Sequence, residues 1–347
     1  MQFDVYALDS MFQELKQAPY PLQPSNTWID LNRTNLAQLQ DHGFKNMRNT
    51  LACNYFTFTG DRVQFRFLKS KLSKKQYLLN KLRALLALKL PRIRSALQST
   101  TLTQDFLKTH TYYTQMLFDY AKKIDHKRLL KHIVNDSPLG NPPPVFRWGK
   151  LLTADLCNSV IEYYAITNSI GEAPLRTVME IGAGYGRNAA VFLQVHQKLQ
   201  YVICDIPPAL YVSQSYLTQR FPEKKAFLFR PFKSFGEIQK EWEEAQLCFI
   251  LPHQLALLPN KCVDLFLNIS SFQEMRPEQI SYYFSQINRL VHGYFYLKQW
   301  KHSCLPQDNV TIKEEDYPDF PHWFRIYSRT CEVQTAFFER LYDLKRS

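Results

Sequence analysis

The sequence predicts an α/β protein in which a mainly helical amino-terminal domain precedes a mostly parallel sheet with helices on both faces. Three observations lead there. Beyond residue 150, short apolar runs alternate with helical patterns, as they do in a parallel sheet with crossover helices. Upstream, apolar residues recur every three or four positions, the period of a helix with one greasy face. Between the two regions, residues 137–149 (SPLGNPPPVFRWG) hold four prolines and two glycines, so they read as a linker that continues neither helix nor sheet. The expected division is residues 1–136, the linker 137–149 and residues 150–347.

Length and composition agree with this division. At ~100–200 residues per domain, 347 residues allow two domains with cores of their own. A hydrophobic content of 45% with 14% aromatics excludes a largely disordered chain. Seven cysteines include no CxxC pair, and their odd number cannot close into a full disulfide set, which points to a reducing cytoplasm. The first ten residues lack a basic region and a long apolar run, so no secretory signal is expected. Eleven of the twelve net positive charges fall in residues 62–104, a stretch without one acid, so the basic character is local.

Leu78, Leu82, Leu85, Leu86 and Leu90 define a helix over 76–90 that Pro91 should stop. A second helix is expected over Phe106–Lys123. In the carboxyl-terminal domain the strand candidates are Thr177–Ile181, Tyr201–Asp205, Leu247–Leu251, Val263–Asn268 and Tyr294–Leu297. The helix candidates are Arg187–His196, Ala209–Phe221, Gly236–Glu244 and Pro277–Leu290, the last with Pro277 and Glu278 in a favourable first turn.

The segment TVMEIGAGYGRNAAVF carries the most chemistry. A strand ends in Glu180, Gly182, Gly184 and Gly186 follow, and a helix begins. Glycines let the backbone turn and approach a ligand closely, and the helix start offers unpaired N–H groups, so a nucleotide-like cofactor is implied. The dinucleotide pattern G-x-G-x-x-G would need a glycine at position 187, where Arg187 stands. The next strand ends in Asp205, placed to accept hydrogen bonds from ribose hydroxyls. The order acidic-x-G-x-G-x-G resembles motif I of class I S-adenosylmethionine-dependent methyltransferases. That resemblance implies a Rossmann-like domain with S-adenosylmethionine as cofactor, its methionine end near Glu180 and its ribose on Asp205.

Downstream, the strand VDLFLN ends in Asn268, and Ser270, Ser271, Gln273 and Glu274 crowd the following loop. In an open α/β sheet this loop faces the ligand crevice, although the serines also suit a helix cap. Here the chain resembles the sugar O-methyltransferase family. The matching stretches include PSNTWIDLN (24–32), HGFKNMRNT (42–50), SPLGNPP (137–143), MEIGAGYGRNAAVF (179–192), CDIPPALYVSQSYL (204–217), ILPHQLALLP (250–259), DLFLNISSFQEM (264–275), YFYLKQW (294–300) and FFERLY (337–342). They span nearly the whole chain, whereas residues 60–105 have no counterpart. The resemblance implies methyl transfer to a hydroxyl of a sugar or sugar-containing envelope precursor, nucleotide-linked, lipid-linked or polymeric.

A sugar hydroxyl must lose a proton as it is methylated, so a base is needed. Glu274 and His253 are the catalytic candidates, His253 also suiting contact with the adenine edge. Asn268 is expected beside the cofactor, and Ser271 and Lys298 beside the acceptor, with Trp300 suiting either the acceptor pocket or the core. No His/Asp/Glu cluster has metal-ligand spacing, so no metal is expected. Two other readings stay open: an RNA methyltransferase with residues 62–104 as its phosphate-binding arm, and a non-catalytic protein that uses the same arm on anionic lipid at the inner face of the cytoplasmic membrane.

Overall fold

The computed structural model describes residues 5–50, 60–87, 103–171 and 173–345. The amino-terminal region is helical: α1 (Val5–Lys16), α2 (Asn26–His42), α3 (Arg62–Lys71), α4 (Lys74–Ala87) and α5 (Gln104–Ile124) are its long helices. Ser25 caps α2 by accepting from the Trp28 amide at 3.3 Å, and Thr103 caps α5. The expected helices over 76–90 and 106–123 correspond to α4 and α5. Pro91, Lys89, Arg92 and Arg94 lie outside the described residues.

The leucine stripe of α4 does not form its packing face. Leu78, Leu82, Leu85 and Leu86 are 63%, 52%, 42% and 52% exposed, whereas Asn80 and Ala84 are buried. Asn80 Nδ2 donates to Asp119 of α5 at 2.9 Å, and Arg147 donates to the other Asp119 oxygen at 2.5 Å. A buried polar pair therefore sets the docking of α4, which turns the leucines outward.

The proline-rich run also departs from expectation, because it contains a strand. β1 (Val145–Arg147) pairs antiparallel with β2 (Lys150–Leu152) across Trp148 and Gly149, both at positive φ (52° and 75°). Two successive left-handed residues make the tight turn whose twist suits a hairpin. The three prolines before it leave Val145 free to pair.

After α6 (Ala154–Ile170), the chain builds an eight-stranded sheet from β3 (Thr177–Ile181), β4 (Gln200–Cys204), β5 (Ala226–Phe227), β6 (Leu247–Ile250), β7 (Val263–Ile269), β8 (Val291–Trp300), β11 (Phe324–Thr330) and β12 (Phe337–Asp343), with β9 (His302–Leu305) and β10 (Val310–Lys313) as a separate hairpin. The order is β5-β6-β4-β3-β7-β8-β12-β11, parallel from β5 to β8, with β12 antiparallel to both its neighbours. Crossovers run through α7 (Arg187–Val195), α8 (Ala209–Arg220), α9 (Gln239–Glu244) and α10 (Pro277–Leu290). Successive strand residues point to opposite faces, yet Val178 through Ile181 are all buried, so both faces of the sheet centre are covered. This is the expected Rossmann-like α/β arrangement. One continuous apolar cluster joins the amino-terminal helices, through residues such as Leu39 and Leu117, to the sheet core around Val178 and Phe266.

Candidate cofactor cleft

Ile181 pairs in register with Cys204 on one side and Asn268 on the other, so the carboxyl ends of β3, β4 and β7 lie level. The chain leaves β3 toward β4 but returns to β7 on β3's other side, which opens a crevice above these strand ends. Gly182 takes φ +70°, and a Cβ there would lie 2.1 Å from the Ser271 hydroxyl, so only glycine lets the two loops meet.

Asp205, just past β4, turns its carboxylate toward the glycine loop. Oδ2 accepts from the Gly184 amide at 3.1 Å and Oδ1 from the Ile206 amide at 2.8 Å. Burial pushes its carboxyl up to about 7, against the lowering effect of these amides. Gly182, Gly184, Asp205 and Ser271 line a cleft of about 570 Å³, with Met275 and Tyr283 on its far wall.

The amino-terminal segment roofs this cleft through Leu22, Pro24, Ser25 and Trp28. Arg276 donates to the carbonyls of Pro21, Gln23 and Pro24 at 3.0–3.2 Å. Asp308 accepts from the amides of Asn26 and Thr27 at 2.8 and 3.0 Å. The PSNTW stretch thus has a structural meaning that its residue types alone did not disclose. Arg48 was equally silent in sequence. Wholly buried, it makes a two-pronged 2.9 Å pair with Asp136, and its guanidinium lies 4.8 Å from the ring centre of Tyr185, between Gly184 and Gly186. Tyr185 in turn donates to Asp155 at 2.9 Å.

The remaining expected residues divide. Glu180 is turned into the core, where Oε1 accepts from Asn188 at 3.1 Å and Oε2 from Tyr201 at 2.6 Å, so it braces the turn from behind rather than lining the cleft. Asn268 is fully buried and clamps the loops: it donates to the Ile181 carbonyl at 3.0 Å and accepts from the Phe272 amide and from Gln299. Ser271 is on the cleft wall. Glu274 follows on the same turn but is not among the residues that line the cleft: its own carbonyl accepts from Ser25 at 3.3 Å, and its Oε1 lies 3.5 Å from Gln273 Nε2. Desolvation holds the half-buried Glu274 carboxyl well above the usual range.

His253 and Lys298 lie elsewhere. Nε2 of His253 is 3.3 Å from Glu14 on α1, and burial lowers the imidazole pKa against the opposing effect of Glu14. Lys298 lies on the strand face opposite Gln299, with Nζ 2.7 Å from Glu162 of α6. It lines a second crevice and not this cleft.

No family model matches the chain, and no curated protein matches it. Solved structures resemble it over part of its length. The Burkholderia thailandensis 1,6-didemethyltoxoflavin-N1-methyltransferase, which holds 1,6-didemethyltoxoflavin and S-adenosylhomocysteine, is 14% identical, with a TM-score of 0.37 over 66% of this chain and 86% of that one. A SAM dependent methyltransferase from Aquifex aeolicus is 13% identical, with a TM-score of 0.34 over 65% and 97%. An arsenic (III) S-adenosylmethionine methyltransferase from Chlamydomonas reinhardtii is 17% identical, with a TM-score of 0.32 over 50% and 65%. Two of these names give an acceptor, and the two differ.

Proposed function

We propose that the chain is an S-adenosylmethionine-dependent O-methyltransferase whose acceptor is a hydroxyl of a sugar or sugar-containing envelope precursor. The observation that carries the cofactor is the buried carboxylate of Asp205 facing the glycine turn inside a roofed cleft. A carboxylate held there accepts hydrogen bonds from a ribose, and Gly182 and Gly184 line the cleft with bare backbone, Ser271 taking the place where a Gly182 side chain would lie. The residues present therefore fit the cofactor, which supplies a methyl group already activated on a sulfonium leaving group.

The acceptor half of the reading rests on Glu274 and on the NISSFQEM resemblance. Glu274 receives the proton of the acceptor hydroxyl, and a carboxyl with a raised pKa is the stronger base once ionised. Ser271 and the roof residue Trp28 position the acceptor and exclude water. Incubation with methyl-labelled S-adenosylmethionine, a panel of free and nucleotide-linked sugars and total RNA tests this reading. Label is expected on a sugar hydroxyl, and label appearing only on RNA would replace sugar by nucleic acid.

A peripheral contact with anionic membrane is favoured by one feature, the outward leucines of α4 beside Lys74, Lys75, Lys81 and Arg83. Apolar and basic residues on one exposed helix suit a lipid surface better than a phosphate backbone. No helix among the described residues is long and apolar enough to cross a membrane. Reversing Lys69, Lys71, Lys74 and Lys75 to glutamate is expected to abolish sedimentation with phosphatidylglycerol vesicles. Native protein that stays in the supernatant at low salt would remove this contact.

A further inference from the structure

The second crevice, about 810 Å³, lies between α5, α6 and the β8, β11 and β12 edge, with exposed Asn168 and Ser169 at its rim. Its charged groups already have partners. Lys298 is held by Glu162, which is also gripped by Arg187 at 2.6 Å. Burial pushes the Glu162 carboxyl up, but these two cations outweigh it and bring it down to about 2. Glu339 accepts from Arg329 and from Tyr296, both at 2.6 Å, and Glu332 accepts from Tyr120.

Two polar groups in the lining have no such partner. Asn158 and Gln334 are 3% and 2% exposed, and Nδ2 of the first and Nε2 of the second are buried without a hydrogen bond among the described residues. Gln334 is half satisfied, since its Oε1 accepts from Lys298 at 2.5 Å, which fixes the amide and leaves its N–H groups free. Buried donors are rarely left unmade, so two in one cavity call for an occupant that brings acceptors. Lys298 and Arg329 are already paired with carboxylates and Glu332 is held by a neutral hydroxyl, so an anionic occupant would find no free cation among the described lining residues and would face the Glu332 charge, whereas a neutral one would not. Ile161 and Val333 supply apolar wall between these polar points.

We propose that this crevice binds a neutral, hydroxyl-rich molecule, a single sugar ring, whose oxygens accept from Asn158 Nδ2 and Gln334 Nε2 while its C–H faces lie on Ile161 and Val333. This site is separate from the cofactor cleft and does not rest on the methyl-transfer reading. Saturation-transfer NMR on the full chain tests it using methyl α-glucopyranoside, methyl α-mannopyranoside and N-acetylglucosamine as probes and citrate as the charged comparison.

At least one sugar, but not citrate, is expected to bind, and Asn158→Leu and Gln334→Met should each weaken it by about five- to tenfold, as loss of a neutral hydrogen bond does. A native-like circular dichroism spectrum and one cooperative thermal transition in both variants would establish that they fold, whatever the sugar result. Gln334→Met also removes an acceptor from Lys298, so Asn158→Leu is the cleaner variant. Three outcomes would overturn the proposal: no sugar binds the native chain, a sugar binds both variants as well as the native chain, or sugar binding is lost in Trp28→Ala but kept in Asn158→Leu, which would place it in the first cleft. A rise in thermal stability of both variants with sugar binding intact would make the two amides merely unsatisfied.

Discussion

Gly182 and Ser271 meet so closely that one added carbon on the glycine would lie 2.1 Å from the serine hydroxyl. The strand end that carries the glycine turn and the loop after β7 are therefore fitted to each other, and the cleft floor is their seam. Gly182→Ala should lower S-adenosylhomocysteine affinity more than tenfold. It should also destabilise the chain by about 1–2 kcal/mol, because φ +70° is strained for any residue with a Cβ. Combining it with Ser271→Gly relieves the contact but not the strain, so calorimetry on the two variants and the pair should show partial rescue.

Asp205 gives the cleft a pH dependence. Its carboxyl stands near 7 in the ligand-free protein, and only the ionised form accepts from both ribose hydroxyls. Affinity for S-adenosylhomocysteine should therefore rise with pH by about tenfold per unit up to 7 and level off above it. Because the folded value lies above the unfolded one, the same group lowers ligand-free stability as pH rises from about 4 to 7. Glu162 works the other way: its folded value is depressed to about 2, so it adds stability that is fully present above about 4.5 and is lost as pH falls toward 2. A pH-independent affinity between 5.5 and 8 would remove Asp205 from the ribose position.

Arg48 and Asp136 join the amino-terminal region to the glycine loop from beneath. Burial would push the Asp136 carboxyl up, but the Arg48 guanidinium outweighs it and holds it below its ordinary value. Removing one partner leaves an uncompensated buried charge, so Arg48→Met should cost about 3–5 kcal/mol in chemical denaturation. Replacing both, as Arg48→Met with Asp136→Leu, should recover much of that loss.

Much of the sheet was legible because its central strands are buried on both faces and so read as unbroken apolar runs. Thr177–Ile181 and Pro277–Leu290 have the boundaries expected from sequence. The later strands were hidden for physical reasons. β12 is buried along its whole length but reads FFERLYD, and Glu339 and Arg340 are tolerated there because Arg329 and Glu314 pair with them. β11 lies at the edge with mostly exposed residues, so no apolar pattern marks it. Helix α6 buries Asp155, Asn158 and Glu162 as well as its apolar residues, which erases the stripe that would have announced it. At the site, the glycines and Asp205 were readable because their chemistry is local. Lys298 was not: adjacent strand residues face opposite sides, and nothing in YFYLKQW reveals that Gln299, not Lys298, faces Asn268 and Ser271.

In the proposed reaction Glu274 takes the proton of the acceptor hydroxyl. Glu274→Gln keeps the shape of the side chain and removes its ability to take a proton. Transfer to an identified sugar acceptor should fall ~10²–10⁴-fold, with S-adenosylhomocysteine affinity within twofold of native. Near-native turnover would move the role to another group.

Isothermal titration of the full chain with S-adenosylhomocysteine, beside NAD, tests whether the cleft above β3 and β4 holds S-adenosylmethionine through Asp205. One-to-one binding of S-adenosylhomocysteine, no binding of NAD, and a loss of about ten- to a hundredfold in Asp205→Ala are expected, as when a charged hydrogen-bond acceptor is removed. No binding by the native chain, or equal binding by Asp205→Ala, would contradict that assignment.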